Sequence, residues 1–324
     1  MTICNRILHL VLVLAAGFST GAMAQAWPTK PIRIIVPFPA GGTSDILTRM
    51  LGQKMTETWN QPVISDSKPG ANGNIGVDLL TRAAPDGYTM CIMDVGALTI
   101  SPSMYEKLPF DIIRDIAPVS MITYSPHLLM IHPSVKANTL SELIALAKKE
   151  PGKMNFPAGM GSATHLAGLF LEMRTGAKWT YIPSKGGAQV IMAIAAGEGD
   201  LGIMGMLQSL PQVKAGRLKV IAVSSEKRDP NIPDTPTISE TPGLEGFVTG
   251  SYQGMFAPAK TSPELINRVN QEMRRILNLA DIKEKLASQG TSPMPSSPQE
   301  MGKWLASEKD RWATVVKTSG FKME

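Results

Sequence analysis

Apolar residues along the chain alternate between short continuous runs and longer segments with helical spacing. The run Ile32 to Val36, interrupted only by Arg33, is typical of a buried strand in a parallel sheet. Apolar residues at positions 46, 47, 50, 51 and 55 then recur on one helix face. Strand signals return at 63–65 and at Tyr88 to Met93. This alternation predicts an α/β fold rather than a helical bundle or a β-sandwich.

Two longer extended segments, Ala117 to His132 and Phe247 to Ala257, each lead from one α/β unit to another. Two such crossing strands predict two α/β lobes with a cleft between them. We assign residues 25–123 and 251–324 to the first lobe and residues 124–250 to the second lobe. The final helical segments are expected to pack back on the first lobe.

Several local signals mark helix boundaries. Thr139 and Glu142 form the pattern of a capping box, and Ser162 is predicted as the N-cap of a helix that ends near Gly176. That helix is expected to direct Leu166, Leu169, Phe170 and Met173 inward. Residues 94–97 are predicted to form the loop after the strand at Tyr88 to Met93.

The N-terminus has the layout of a secretory signal peptide. A polar start with Arg6 precedes the apolar run Ile7 to Phe18, and Ala22-Met23-Ala24 supplies a small-x-small cleavage site. Cleavage is expected after Ala24, and a cut after Ala26 also satisfies the rule. A membrane anchor is the alternative, but the run is shorter than the ~20 residues that a span needs. Residues 1–24 therefore predict an exported protein.

Composition narrows the class of ligand. The formal net charge is +5 with scattered basic residues, which suits a small anion and argues against nucleic acid. Beyond the signal segment the only cysteine is Cys91, so no internal disulfide is expected. Since the sequence has no Cys-x-x-Cys and no paired-histidine motif, we expect no metal site and no cofactor.

The turn Pro37 to Asp45 joins the first strand to the first helix and carries Gly41 and Gly42. Bare backbone N–H groups at a helix start attract carboxylate or phosphate groups. Thr43, Ser44 or Asp45 is expected to cap this helix. A merely structural tight turn is the alternative. The turn is neither a P-loop nor a dinucleotide fingerprint, because the residues that define those motifs are absent.

Three further glycine-rich turns open helices, at 69–76, 155–165 and 184–187. Ligands in open α/β sheets bind beyond the carboxyl ends of the strands, where such turns converge. Convergence of turns from two lobes predicts an anion-binding cleft.

The competing class is an exported α/β hydrolase acting on a small carboxylate ester or amide. Its base would have to be His127, His132 or His165. Gly161-Ser162-Ala163 lacks the second glycine of a nucleophile elbow, and Ser162 and His165 lie within one helical turn. We therefore expect no catalytic residue and no enzymatic activity.

The ordered motifs of the chain are similar to those of one known family. They are Pro28-Thr29-Lys30-Pro31-Ile32-Arg33, the turn Pro37 to Asp45, Pro69-Gly70-Ala71-Asn72-Gly73, Ala84-Pro85-Asp86-Gly87-Tyr88-Thr89, Gly161-Ser162 to His165-Leu166, Lys185-Gly186-Gly187 and Phe256-Ala257-Pro258-Ala259. The chain resembles the Bordetella uptake gene type of periplasmic receptors of tripartite tricarboxylate transporters. The resemblance implies a periplasmic, monomeric solute receptor with a type II periplasmic-binding fold that closes like a Venus flytrap. It also implies a small carboxylate ligand (a dicarboxylate, tricarboxylate, amino acid or aromatic carboxylate) and a membrane transporter or sensor as partner.

Carried over by position, the resemblance implies a set of ligand-binding residues. They are Phe38, Ala40, Gly41, Gly42, Thr43 and Asp45 with Asp94 and Val95 in the first lobe, and Gly161, Ser162, Ala163, Thr164, Ser184, Lys185, Gly186 and Gly187 in the second. The chain departs from the family pattern at Ser184, Asp94 and Tyr252-Gln253. Asp94 would repel a tricarboxylate and could pair with an amine. The alternative for Asp94 is a solvated or loop-capping aspartate.

Overall fold

The structure is a computed structural model that describes residues 27–319. The strands are β1 Ile32–Val36, β2 Val63–Ser67, β3 Thr89–Asp94, β4 Ile116–Ile131, β5 Asn155–Ala158, β6 Thr180–Pro183, β7 Leu201–Gly205, β8 Lys219–Val223, β9 Gly250–Pro258 and β10 Ser292–Pro293. The α-helices are α1 Thr43–Trp59, α2 Asn74–Thr81, α3 Val95–Met104, α4 Leu140–Lys149, α5 Ala163–Thr175, α6 Gly187–Ala195, α7 Met206–Lys214, α8 Pro263–Leu277, α9 Ala280–Ala287 and α10 Pro298–Ser319. Short 3₁₀ turns lie at Ala71–Gly73 and Ile238–Glu240.

The sheet of the first lobe runs in the order β2-β1-β3-β9-β4-β10. The strands β2, β1 and β3 are parallel, whereas β9 is antiparallel to both β3 and β4. Successive residues of β1 point to opposite faces, so Ile34 enters one apolar cluster and Ile35 the other. Helices on both faces therefore bury the sheet, as a parallel α/β sheet requires.

Strand β4 joins the two lobes. It pairs with β9 up to Pro126, with β7 from His127 onward and with β8 from Leu128 onward. The chain returns through Thr249, whose backbone N–H donates to the carbonyl of Ser224 (3.1 Å), and then enters β9. In the second lobe β5 and β6 form a parallel pair of their own. The predicted α/β fold of two lobes joined by crossing strands is confirmed.

Local predictions were right at most helix boundaries and wrong at a few. Ser162 caps α5 and Gly176 ends it in the left-handed region, as predicted. Thr139 caps α4 by accepting from the Glu142 N–H, but the Glu142 carboxylate accepts from Asn138 rather than closing the capping box. Met173, expected inside, is 54% exposed.

Two predictions near the cleft were also wrong. Helix α1 begins after Gly42 without a side-chain cap, because the carboxylate of Asp45 turns back to the N–H of Gly41. Residues 95–97 are not a loop: α3 starts directly after β3, with Asp94 as its N-cap. The predicted signal peptide lies outside the described residues. Among residues 27–319, none of the helices has the length and apolarity needed to cross a bilayer.

Candidate functional site

A cavity of about 580 Å³ lies between the two lobes. Its wall includes residues from the starts of four helices, α1, α3, α5 and α6, and from the loop Pro69–Gly73. The first N–H groups of a helix have no partner within the helix and carry its positive dipole end. The cavity is therefore suited to a small anion.

The turn before α1 supplies the first-lobe wall. Gly41 has φ of +81°, a left-handed conformation that favours glycine, and its N–H donates to Asp45 Oδ2 at 3.0 Å. The following residues, Gly42, Thr43 and Ser44, line the cavity. Asp45 thus holds the turn from the side away from the cavity, and the start of α1 faces the cleft.

Asp45 is buried and held by several donors. Arg49 Nε donates to both of its oxygens (3.0 and 3.1 Å), and Ser65 Oγ donates to Oδ1 at 3.1 Å. Burial by itself would raise the pKa of Asp45, but these donors and the Gly41 N–H outweigh it, so the pKa lies below its usual value. The carboxylate is fully occupied within the protein.

Two turns supply the second-lobe wall. Ser162 Oγ accepts from the His165 N–H (3.2 Å) and shares a hydrogen bond with Thr164 Oγ1 (2.9 Å). At the other turn the Lys185 N–H donates to Gln189 Oε1 at 2.7 Å. Gly186 and Gly187 follow and form the start of α6. Both turns therefore present a helix start to the cavity.

The two lobes touch each other at the rim of the cavity. Asn72 Nδ2 in the first lobe donates to the carbonyl of Gly161 in the second at 3.0 Å. Gly186 approaches Pro39 so closely that a Cβ at position 186 would lie 2.8 Å from Pro39 Cδ. The structure therefore has the lobes drawn together around the cavity.

The cavity wall also carries Tyr105 and Gln208, which the sequence did not single out, and His127, which it named only as a candidate base of the alternative hydrolase. Tyr105 Oη and Gln208 Oε1 are buried there without a hydrogen-bond partner among the described residues. His127 lines the same wall, and its Nδ1 is 3.0 Å from Thr249 Oγ1. Burial lowers the pKa of His127 to about 4, so the ring is neutral at pH 7. No local motif marks these residues, because they come from separate elements that only the fold brings together.

Most of the predicted binding residues meet at the cavity. Those on its wall are Phe38, Gly42, Thr43, Asp94, Ser162, Ala163, Thr164, Ser184, Lys185, Gly186 and Gly187. Those placed off the wall are Ala40, Gly41, Asp45, Val95 and Gly161. Val95 packs in the apolar cluster below α3, and the Gly161 N–H donates to His165 Nδ1 at 3.2 Å. Tyr252 packs between Tyr124 and Trp304 instead of facing the cavity.

The groups that a hydrolase would need are arranged differently from a catalytic site. His165 is buried under the α5 turn, where burial lowers its pKa to about 4. The Ser162 hydroxyl accepts from the backbone of His165 and so acts as a cap. Burial also raises the pKa of the Cys91 thiol, which makes it a poor nucleophile. Within residues 27–319, no cluster of three or more His, Cys, Asp or Glu side chains could hold a metal ion.

Comparison with known proteins agrees with this geometry. Residues 47–321 match the family described as the tripartite tricarboxylate transporter family receptor. The chain belongs to this family. It is 32% identical to protein BugT of Bordetella pertussis over 97% of each chain.

Solved structures of similar proteins show the same fold. Rpa4515 of R. palustris, solved with adipate, is 31% identical with a TM-score of 0.88, covering 91% of this chain and 99% of that one. MatC from Rhodopseudomonas palustris, solved with bound malate, is 27% identical with a TM-score of 0.84, covering 90% of this chain and 100% of that one. The fold is the two-lobed type II periplasmic-binding fold, and the family is one of solute-binding receptors.

Proposed function

We propose that this protein is a periplasmic receptor that captures a small carboxylate between its two lobes and delivers it to a tripartite tricarboxylate-type transporter in the membrane. The first lobe would comprise residues 25–123 and 251–324, and the second residues 124–250. Residues 1–24 would direct export and be removed after Ala24.

The observation that carries this proposal is the cavity itself. Three helix starts, those of α1, α5 and α6, face about 580 Å³ of space from both lobes. An anion held there gains fixed N–H dipoles, and each hydrogen bond is worth more than in water once closure excludes solvent. Because the donors come from two lobes, the ligand stabilises the closed arrangement over the open one.

The predicted binding residues that line the cavity extend this proposal. Gly42 and Thr43 would hold the ligand from the first lobe. Ser162, Ala163 and Thr164 would hold it from the second lobe, together with Gly186 and Gly187. Phe38 would pack against its apolar part. A receptor of this kind needs closure and no chemical step, so we propose that the protein is not an enzyme.

A thermal-shift screen tests the proposal. The mature protein is melted with dicarboxylates, tricarboxylates, amino acids and aromatic carboxylates, each added separately. A ligand present at a hundred times its Kd stabilises the protein by roughly 2.7 kcal/mol, which corresponds to a rise in Tm of about 4 °C for a chain of this size. A panel without a single shift would contradict the carboxylate class.

The methyl ester of the best carboxylate is the matched control. It has the same carbon skeleton but lacks the anion, so its shift in Tm should be much smaller. It is also the type of substrate that the alternative hydrolase would cleave. Mass spectrometry of both compounds after incubation should recover them intact, and conversion of the ester would favour the hydrolase.

A further inference from the structure

Asp94 places a carboxylate on the wall of the cavity at the start of α3. Its Oδ1 accepts from the Ala97 N–H at 3.0 Å, as an N-cap does. Its Oδ2 accepts from Ser251 Oγ at 2.6 Å and from Gln253 Nε2 at 3.2 Å. The side chain is thus held in one position by three donors, one from α3 and two from β9.

The neighbours of Asp94 favour its ionised form. Gln253 Oε1 accepts from Ser44 Oγ (2.7 Å), and its Nε2 donates to Ser251 Oγ at 3.0 Å. That bond leaves the Ser251 hydroxyl proton to point at Asp94. The Ala97 N–H, the Ser251 hydroxyl and the Gln253 amide therefore all donate to Asp94. An ionised carboxylate, which only accepts hydrogen bonds, suits this arrangement. Burial acts in the opposite direction and outweighs these donors, so the pKa of Asp94 lies above its usual value.

Within residues 27–319, no cationic side chain forms an ion pair with this carboxylate. Among the described residues, no Lys, Arg or His nitrogen lies within 4.0 Å of it. The other charged residue on the cavity wall is Lys185, which is exposed and lies in the opposite lobe. The carboxylate of Asp94 occupies the start of α3. An anionic ligand therefore cannot bind there, whereas the starts of α1, α5 and α6 have no carboxylate cap.

We propose that Asp94 is the residue that sets the charge class of the ligand: the cavity selects a carboxylate that also carries a cationic nitrogen and rejects dicarboxylates. The inference rests on the proposed receptor function. The free helix starts would hold the ligand carboxylate, and Asp94 would attract the ammonium or protonated ring nitrogen. A second carboxylate near Asp94 would be repelled over a few ångströms in a space of low dielectric.

The test compares the wild type with Asp94→Asn. Asparagine preserves the volume and the capping oxygen and removes the charge. Its amide nitrogen takes the place of Oδ2, so it would donate to the Ser251 hydroxyl instead of accepting from it. The probes are adipate, 6-aminohexanoate and hexanoate, which have similar length and differ in the charge of one end. Calorimetry gives a Kd for each probe with each protein, and Asp94→Ser, a second neutral cap, replaces Asp94→Asn if that variant is unstable.

We expect Asp94→Asn to bind adipate roughly tenfold to a hundredfold more tightly than the wild type and to bind 6-aminohexanoate more weakly by a similar factor. Hexanoate should change little. Equal adipate affinity in both proteins, or a parallel loss for all three probes, would overturn the inference and leave Asp94 a structural cap. If neither these probes nor any member of the thermal-shift panel bound to either protein, the receptor proposal itself would fail, and this inference with it.

Discussion

The contact between Gly186 and Pro39 offers a direct way to separate closure from folding. Gly186 has φ of 169°, an extended conformation that any residue adopts, so Gly186→Ala adds no backbone strain. The three atoms nearest to the added methyl group all belong to the ring of Pro39, which lies in the opposite lobe. We therefore expect this variant to fold normally and to close poorly.

The size of the effect follows from the distances. The new Cβ would lie 2.8 Å from Pro39 Cδ and 2.9 Å from Cγ, whereas carbon atoms in contact prefer about 3.5–4.0 Å. The lobes must therefore stay apart by roughly 0.7 Å. Overpacking of this kind costs about 1–3 kcal/mol, which would weaken binding of the best carboxylate about fivefold to 150-fold.

Two measurements check this prediction. Calorimetry should show the higher Kd, and urea unfolding without ligand should show a free energy of unfolding within about 0.5 kcal/mol of the wild type. Gly302→Ala is the matched control, because its Cβ would lie 3.7 Å from Pro118 Cγ, an ordinary contact. It should leave the affinity unchanged.

A second substitution decides whether the contact with Pro39 is the cause. Pro39→Ala removes the two ring atoms that the new methyl group would strike, so the double variant should recover most of the lost affinity. Wild-type affinity in Gly186→Ala, or no recovery in the double variant, would refute the idea that the lobes close on this contact.

Three other predictions concern single polar residues. Replacing Gln208 by Leu should raise the Kd of the best carboxylate about tenfold by calorimetry, because it removes a polar group from the cavity wall. The stability without ligand should stay equal or rise, because the Gln208 Oε1 that is removed is buried without a partner among the described residues. Unchanged affinity would exclude Gln208 from binding. Since the pKa of His127 in the native protein is about 4 and that of an unfolded histidine about 6.5, its neutral form contributes stability that is complete above pH 6.5 and is lost as the pH falls toward 4. The free energy of unfolding should therefore fall by roughly 2 kcal/mol between pH 8 and pH 5 through His127, and His127→Asn should show a smaller fall. Replacing Asp45 by Asn should reduce the free energy of urea unfolding by about 2 kcal/mol, because its ionised oxygens hold the turn before α1. The control Asp86→Asn, at an exposed ion pair, should change that free energy by less than about 1 kcal/mol. Equal losses in the two variants would contradict the role of Asp45 in holding the turn.

The sequence by itself determined most of the secondary structure and the α/β architecture of two lobes. The run at Ile32 to Val36 became β1 with the predicted bounds, and Ser162 and Gly176 bound α5 as expected. These predictions succeed because the burial of apolar faces and the satisfaction of N–H groups at helix ends act over a few residues. The glycine-rich turns, read in the same way, predicted a cleft for an anion, and in the structure they line one cavity.

Only the tertiary structure decided which side chains face the cavity. Asp45 and Asp94 both follow a strand and stand near a helix start, and their surroundings in the sequence look alike. In the fold Asp45 turns away to Gly41 and Arg49, while Asp94 remains on the cavity wall beside Ser251. Gln208 reaches the same wall from a distant segment. The direction of a polar side chain depends on donors and acceptors far away in sequence, and those are brought into place only when the sheet and the two lobes have formed.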